Sequence, residues 1–273
     1  MKTRIISGFF LLVILGALLY FGGRIYLAAL AAVSLIGVFE YCRALKAGEF
    51  KPYFPVMISF TVLWYLLLLV RGGEGLPAFT GAFLVLAFLV LMVIAVFSYP
   101  GHSFADAALC LFGLLYVPLM FSFLFMIRER ADGLFMSILL FLAAWGSDVF
   151  AYLAGRFFGK RKLAPELSPK KTVAGALGGI VGSMALCLLF THFTASLWGR
   201  PYILCMLFAG LFGALGGAFG QLGDLFASSL KRMTGIKDFG KLIPGHGGIL
   251  DRFDSVLSAA PLMMLALYIL DLI

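Results

Sequence analysis

Ala78-Phe79-Thr80-Gly81-Ala82-Phe83-Leu84-Val85-Leu86-Ala87-Phe88-Leu89-Val90-Leu91-Met92-Val93-Ile94-Ala95-Val96-Phe97-Ser98-Tyr99-Pro100 contains no charged side chain. A helix rises about 1.5 Å per residue, so this run is long enough to cross the roughly 30 Å hydrocarbon core of a bilayer. Ile5 to Gly23 is a second such run. Across all 273 residues 63% are hydrophobic and 12% charged, against about 25% charged in an ordinary soluble domain. The expected fold is all-α, a polytopic integral membrane protein whose main solvent is lipid.

Outward from that run, the pattern predicts nine spanning helices at 5–22, 26–45, 53–70, 77–98, 103–127, 133–156, 174–198, 202–230 and 255–272. The eighth is long for a simple span, so its last turns are expected in the polar layer. No internal repeat or soluble domain stands out, which makes 1–273 a single membrane domain. Within it, 1–132 supplies N-terminal spanning helices and 133–273 the C-terminal helices, where the polar residues gather. The first run ends at Phe21-Gly22-Gly23-Arg24 without a small-x-small cleavage site, so it reads as a retained span rather than a secretory signal. Cys42, Cys110, Cys187 and Cys205 lie in or beside apolar runs without metal-type spacing and read as small core residues.

The charges choose an orientation. The N-terminus and the loops after helices two, four, six and eight hold sixteen Lys and Arg, and the opposite face only five, Arg24, Arg71, Arg128, Arg130 and Arg200. By the positive-inside rule the basic side, N-terminus included, is cytoplasmic. Topology and anionic headgroups account for a net charge of +8. Nothing presents a groove to nucleic acid.

Polar chemistry is concentrated between Ser228 and Asp254, preceded by Asp224 in an apolar helix. Asp224, Ser228 and Lys231 stand at i, i+4 and i+7 and share a helix face. A carboxylate at that depth lines a polar path, binds a cation, or pairs with a lysine or arginine to hold helices together. Asp251 and Asp254 open the last helix, where capping is the plain alternative. Arg252 between them and Gly245-His246-Gly247-Gly248 before them add a cation and flexible backbone suited to an anion. No Gly-x-x-x-x-Gly-Lys-Ser/Thr loop is present. Asp224 and Asp251, with Asp254, suit a hard divalent ion such as Mg²⁺, with a second cation left open. Lys231, Arg232, Lys237, Lys241 and Arg252 suit a polyphosphate. His246 reads as a phosphate contact or loop residue, because a phosphate nucleophile needs no general base.

A second element is Trp145-Gly146-Ser147-Asp148-Val149-Phe150-Ala151-Tyr152, followed by a basic loop with Ser168-Pro169-Lys170-Lys171-Thr172. Asp148 joins either an interhelical hydrogen bond or the same cytoplasmic pocket. Glu40 and Arg43, at i, i+3, read as a local ion pair without a functional role.

These residues resemble the phosphatidate cytidylyltransferases, or CDP-diacylglycerol synthases. The pattern Ser-x-hydrophobic-Lys-Arg, four residues, Lys-Asp-x-Gly-x-x-hydrophobic-Pro-x-His-Gly-Gly-hydrophobic-x-Asp-Arg-hydrophobic-Asp runs from Ser228 through Asp254 without a gap. Trp-x-x-Asp-x-x-Ala-Tyr and the Ser168 to Thr172 loop also fit, so the specific resemblance covers the C-terminal half. It implies a multi-pass enzyme of the bacterial inner (cytoplasmic) membrane, with a cytoplasmic active site and a homodimeric assembly. Such an enzyme joins CTP and phosphatidic acid to give CDP-diacylglycerol and pyrophosphate. Carried over, Asp224, Asp251, Lys231 and Arg252 look catalytic. Asp148, Ser168, Lys170, Lys171, Ser228, Arg232, Lys237, Lys241, His246, Gly247 and Gly248 look substrate-binding, and Asp224, Asp251 and Asp254 metal-binding. Two positions depart from the family pattern: Ala174 and Ala227 stand where members commonly carry Glu. Retained activity with altered metal dependence is the expectation. From another class, an ion or phosphate transporter shares buried acids, but it would more often show an internal repeat. Another CTP-dependent lipid transferase or a polyprenol kinase is the nearer rival.

Overall fold

The computed structural model describes residues 2–72, 76–243, 245 and 247–272. Apolar runs become helices because in lipid each backbone N–H and C=O must be satisfied within its own segment. These are α1 (Lys2–Phe21), α2 (Gly23–Ala47), α3 (Phe54–Arg71), α4 (Leu76–Phe97) and α5 (Phe104–Leu114), which continues through a π-helical turn at Leu115–Leu119 into α6 (Met120–Arg128). Then follow α7 (Gly133–Phe158), β1 (Lys162–Ala164), β2 (Ser168–Thr172), α8 (Val173–Thr194), α9 (Tyr202–Met233) and α10 (Leu250–Leu270). Among the described residues eight helices, α5 to α6 counted as one, are long and apolar enough to cross a membrane, and the apolar part of α1, Ser7–Phe21, is shorter. The protein is an all-α polytopic membrane protein.

Three details differ from the sequence expectation. The expected helix over 103–127 carries Pro118 inside its π turn, because proline cannot donate to the carbonyl one turn back. The basic loop after α7 folds as an antiparallel hairpin, Lys162 opposite Thr172 and Ala164 opposite Ser168. The last helix starts at Leu250, not 255, so Asp251 and Arg252 lie in its first turn.

Two compact units emerge, one of Met1–Glu129 with Lys231–Arg252, the other of Arg130–Leu230 with Phe253–Ile273. In the first, Trp64 on α3 and Tyr26, Val38, Tyr41 and Leu45 on α2 are almost wholly enclosed. In the second, glycines recur every three or four residues along α8 (Gly175, Gly178, Gly179, Gly182) and α9 (Gly213, Gly217, Gly220, Gly223). A Cβ at Gly182 would strike the Phe150 ring, and one at Gly217 would strike Ser183 Oγ. Small residues in this spacing let apolar helices approach backbone to backbone, where no hydrophobic force is available to join them. Polar side chains lock that seam. Gln221 Nε2 donates to Ser147 Oγ (2.9 Å) and Ala176 O (3.1 Å), and Ser147 Oγ donates to Gly217 O (3.1 Å).

Candidate active site

In the second unit α7, β2, α8 and α9 line a cavity of about 340 Å³. Thr172 sets its rim: it ends β2, and its hydroxyl accepts from Gly175 N at 3.1 Å, N-capping α8. The cavity brings together Asp148, Lys170, Lys171 and Asp224, all singled out in the sequence, and adds Arg156 and Gln221. Lys171 Nζ lies 2.7 Å from Asp224 Oδ2 and donates to Gln221 O at 3.3 Å. The Asp224 side chain is 32% exposed, and among the described residues its other oxygen has no hydrogen-bond partner. Asp148 Oδ2 accepts from Ser255 Oγ on α10 at 3.3 Å. Three cations and two carboxylates around one space can grip a phosphate chain while leaving an acid oxygen for a cation.

The first unit holds the loop from Thr234 to Ile249 and the first turn of α10. Lys231 Nζ, at the end of α9, lies 2.9 Å from Asp251 Oδ1 and 5.3 Å from the centre of the buried Phe239 ring. Asp251 Oδ2 accepts from Phe239 N (2.8 Å) and Gly248 N (3.0 Å). Gly245 and Gly247 take φ of 77° and 87°, which only glycine adopts without strain. A Cβ at Gly247 would also meet the Asp251 carboxylate. Lys237, Lys241 and Arg252, with Asp238 and Gly247, line a second cavity of about 600 Å³. Its excess of cations suits an anion.

Several sequence-predicted residues line neither cavity. Ser168 begins β2, Ser228 lies on α9, and Arg232 is exposed near the end of α9. Gly248 turns its N–H to Asp251 rather than outward. Asp254 is buried and its Oδ1 accepts from Ser255 N at 2.8 Å. His246 lies outside the described residues.

Glu40 is a correction. Instead of the local ion pair with Arg43 read from the sequence, it is buried and its carboxylate accepts from Ile249 N and Leu250 N, both at 3.0 Å. The first N–H groups of a helix have no intrahelical partner, so the start of α10 draws in an anion. The partners are more than two hundred residues apart in sequence, and no local spacing announces such a bond. Thr172 was not singled out as a helix cap in the sequence, although its place before the apolar run is a signal that could have marked it.

Residues 2–270 match the sequence profile of the cytidylyltransferase family. The chain belongs to that family. A protein of Staphylococcus haemolyticus (strain JCSC1435) named phosphatidate cytidylyltransferase is 33% identical over 270 residues, covering 98% of this chain and 99% of the relative. Proteins of the same name from Staphylococcus saprophyticus subsp. saprophyticus (strain ATCC 15305 / DSM 20229 / NCIMB 8711 / NCTC 7292 / S-41) and Staphylococcus aureus (strain COL) are each 34% identical, over 270 and 273 residues, with the same coverage. The family likeness thus extends through the first five spans, where motifs alone had carried only the C-terminal half.

Proposed function

We propose that this chain transfers the cytidylyl group of CTP to phosphatidic acid, forming CDP-diacylglycerol and releasing pyrophosphate at the cytoplasmic face of a bacterial cytoplasmic membrane. The observation that carries this reading is the end-to-end similarity to relatives bearing that activity in their names. The geometry supports it: a helical membrane body opens two cavities lined by lysines, arginines and aspartates.

In the proposed reaction an oxygen of the lipid phosphate attacks the α-phosphorus of CTP. A new P–O bond forms as the bond from the α-phosphorus to the bridging oxygen breaks, and the electron pair leaves with pyrophosphate. Lys170, Lys171 and Arg156 in the cavity of the second unit neutralise phosphate charge that water would otherwise solvate, and Lys237, Lys241 and Arg252 give the cavity of the first unit the same capacity. Lipid tails reach the site sideways between helices.

A divalent cation fits this donor set only with help. Among the described residues no three His, Cys, Asp or Glu side chains converge as a ready metal cage. Mg²⁺ commonly uses one or two carboxylates and completes its shell with water and substrate phosphate oxygens. Asp224, whose Oδ1 has no hydrogen-bond partner among the described residues and whose Oδ2 meets Lys171, is the foremost proposed ligand, with Asp254 in the same unit. Asp251 offers Oδ1 after release of Lys231, since its Oδ2 is held by two N–H groups. When bound, such an ion supplies charge neutralisation and alignment of phosphates. A second cation and a homodimer complete the proposal on family resemblance alone.

The test is purified protein in detergent with phosphatidic acid, Mg²⁺ and CTP labelled on its α-phosphate. Label entering lipid with stoichiometric pyrophosphate supports the transferase. Phospholipid with CDP as by-product points to a kinase, and no transfer to any lipid acceptor from folded protein sinks the reading.

A further inference from the structure

Resting on the activity proposed above, we propose that Glu40 is a positioning residue that sets the geometry of the basic loop from α2. The argument starts with burial. Glu40 is 4% exposed, two turns before the end of an apolar helix, a place where an unsatisfied carboxylate is costly. Its two oxygens each take a backbone N–H from the start of α10, Ile249 to Oε1 and Leu250 to Oε2. The loop is shaped around that carboxylate, because a Cβ at Gly240 or at Gly248 would collide with it.

Elsewhere α2 is trimmed for the same segment. Gly37 faces Leu250, with Val117, and Gly48 faces Thr234; a Cβ at either would press on these neighbours. The loop is therefore held by α2 near both ends, and Glu40 supplies the polar pin. Gly248, beside the pinned pair, donates to Asp251 Oδ2, and Asp251 in turn holds Lys231. Arg252 follows in the same helical turn and lines the basic cavity with Lys237 and Lys241. Displacing Ile249 and Leu250 would shift this whole set of phosphate-facing cations. Glu40 itself touches none of the cavity and acts only through the backbone it holds.

The experiment uses the full chain in detergent, comparing wild type with Glu40→Gln, and with Arg43→Gln as a control one turn away. The carboxamide keeps one acceptor but turns an NH₂ toward a backbone N–H. We expect roughly a 10- to 100-fold loss of kcat/KM, the scale for groups that orient a functional residue, with the KM for CTP raised and the KM for phosphatidic acid unmoved. Amide hydrogen exchange at Ile249 and Leu250 should rise while distant helices stay protected. A merely structural defect lowers the active fraction and leaves both KM values alone, and that result would overturn the proposal. If Glu40→Gln does not fold, Gly240→Ala presses the loop from the other side with the charge intact, and an unchanged KM for CTP there overturns it equally. Wild type that makes no CDP-lipid would instead defeat the activity on which the proposal stands.

Discussion

Two lysine–aspartate pairs of nearly equal length behave as different objects in this molecule. Lys171 meets Asp224 at 2.7 Å and Lys231 meets Asp251 at 2.9 Å. The side chains of the first pair are 23% and 32% exposed, those of the second 13% and 4%. Asp224 gives one oxygen to its lysine and lines a cavity. Asp251 gives one oxygen to its lysine and the other to Phe239 N and Gly248 N. The same salt bridge is thus partly open to solvent in one place and, in the other, enclosed with its aspartate anchored through Oδ2 by backbone N–H groups. What surrounds a charged pair, not its length, decides whether it serves chemistry or architecture.

The sharpest way to break this contrast is Asp224→Asn. We expect a loss of activity of about 10²–10³-fold, the scale for removing one preorganised electrostatic group, with thermal stability and membrane insertion unchanged. Retained turnover in well-folded variant protein would remove Asp224 from the site. Asp251→Asn should differ in kind. Besides losing activity, it leaves a buried backbone donor or the Lys231 ammonium poorly matched, a penalty of about 1–3 kcal/mol. Thermal unfolding should register that penalty, and a melting temperature equal to wild type would erase the distinction between the two aspartates.

A gain-of-acid pair sharpens the contrast from the other direction. Ala174 lies half-buried in the first turn of α8, whereas Ala227 is fully enclosed on α9, in the same helix as Asp224. Restoring glutamate at both should lower the Mg²⁺ concentration for half-maximal activity by roughly tenfold, equivalent to about 1.4 kcal/mol. The Ala227→Glu change alone should also cost stability, because its carboxylate enters an enclosed space. An unchanged Mg²⁺ midpoint in the double variant would end the idea that metal dependence here is altered by these two positions.

How far the sequence alone reached can be judged residue by residue. The spanning helices were legible because uncharged runs such as Ala78 to Pro100 admit few alternatives in lipid. Asp148, Lys170, Lys171 and Asp224 were legible as polar exceptions in an apolar chain, and the structure gathers them around one cavity. The Lys162 to Thr172 hairpin was read only as a charged loop, since two strands of three and five residues carry too little periodicity to detect. Glu40 was misread because helix spacing pointed to Arg43, while its actual partners are backbone N–H groups that no side-chain pattern encodes. The glycine rows of α8 and α9 were visible in sequence, but which bulky neighbour each one admits is a property of packing.

The smallest effect supplies the baseline for the comparison. Asp271, just beyond α10, meets Arg130 at 2.9 Å and Arg200 at 2.7 Å, with its side chain 37% exposed. The hydrogen bond from Arg130 leads in holding its carboxyl below the ordinary carboxylate range, and in raising the Arg130 guanidinium. A depressed acid stabilises the fold above its unfolded pKa of about 3.9, and that contribution is lost as pH falls through the lower, folded value. Solvent screens an exposed cluster, so its worth is about 0.5 kcal/mol. Asp271→Asn should therefore lower the melting temperature slightly at neutral pH, and the gap to wild type should close on acidification below pH about 4. Activity should not change. A gap that persisted in acid would mean the Asp271 charge is not what holds Arg130 and Arg200, and a gap as large as that of Asp251→Asn would mean that exposure does not separate bracing pairs from weak ones in this protein.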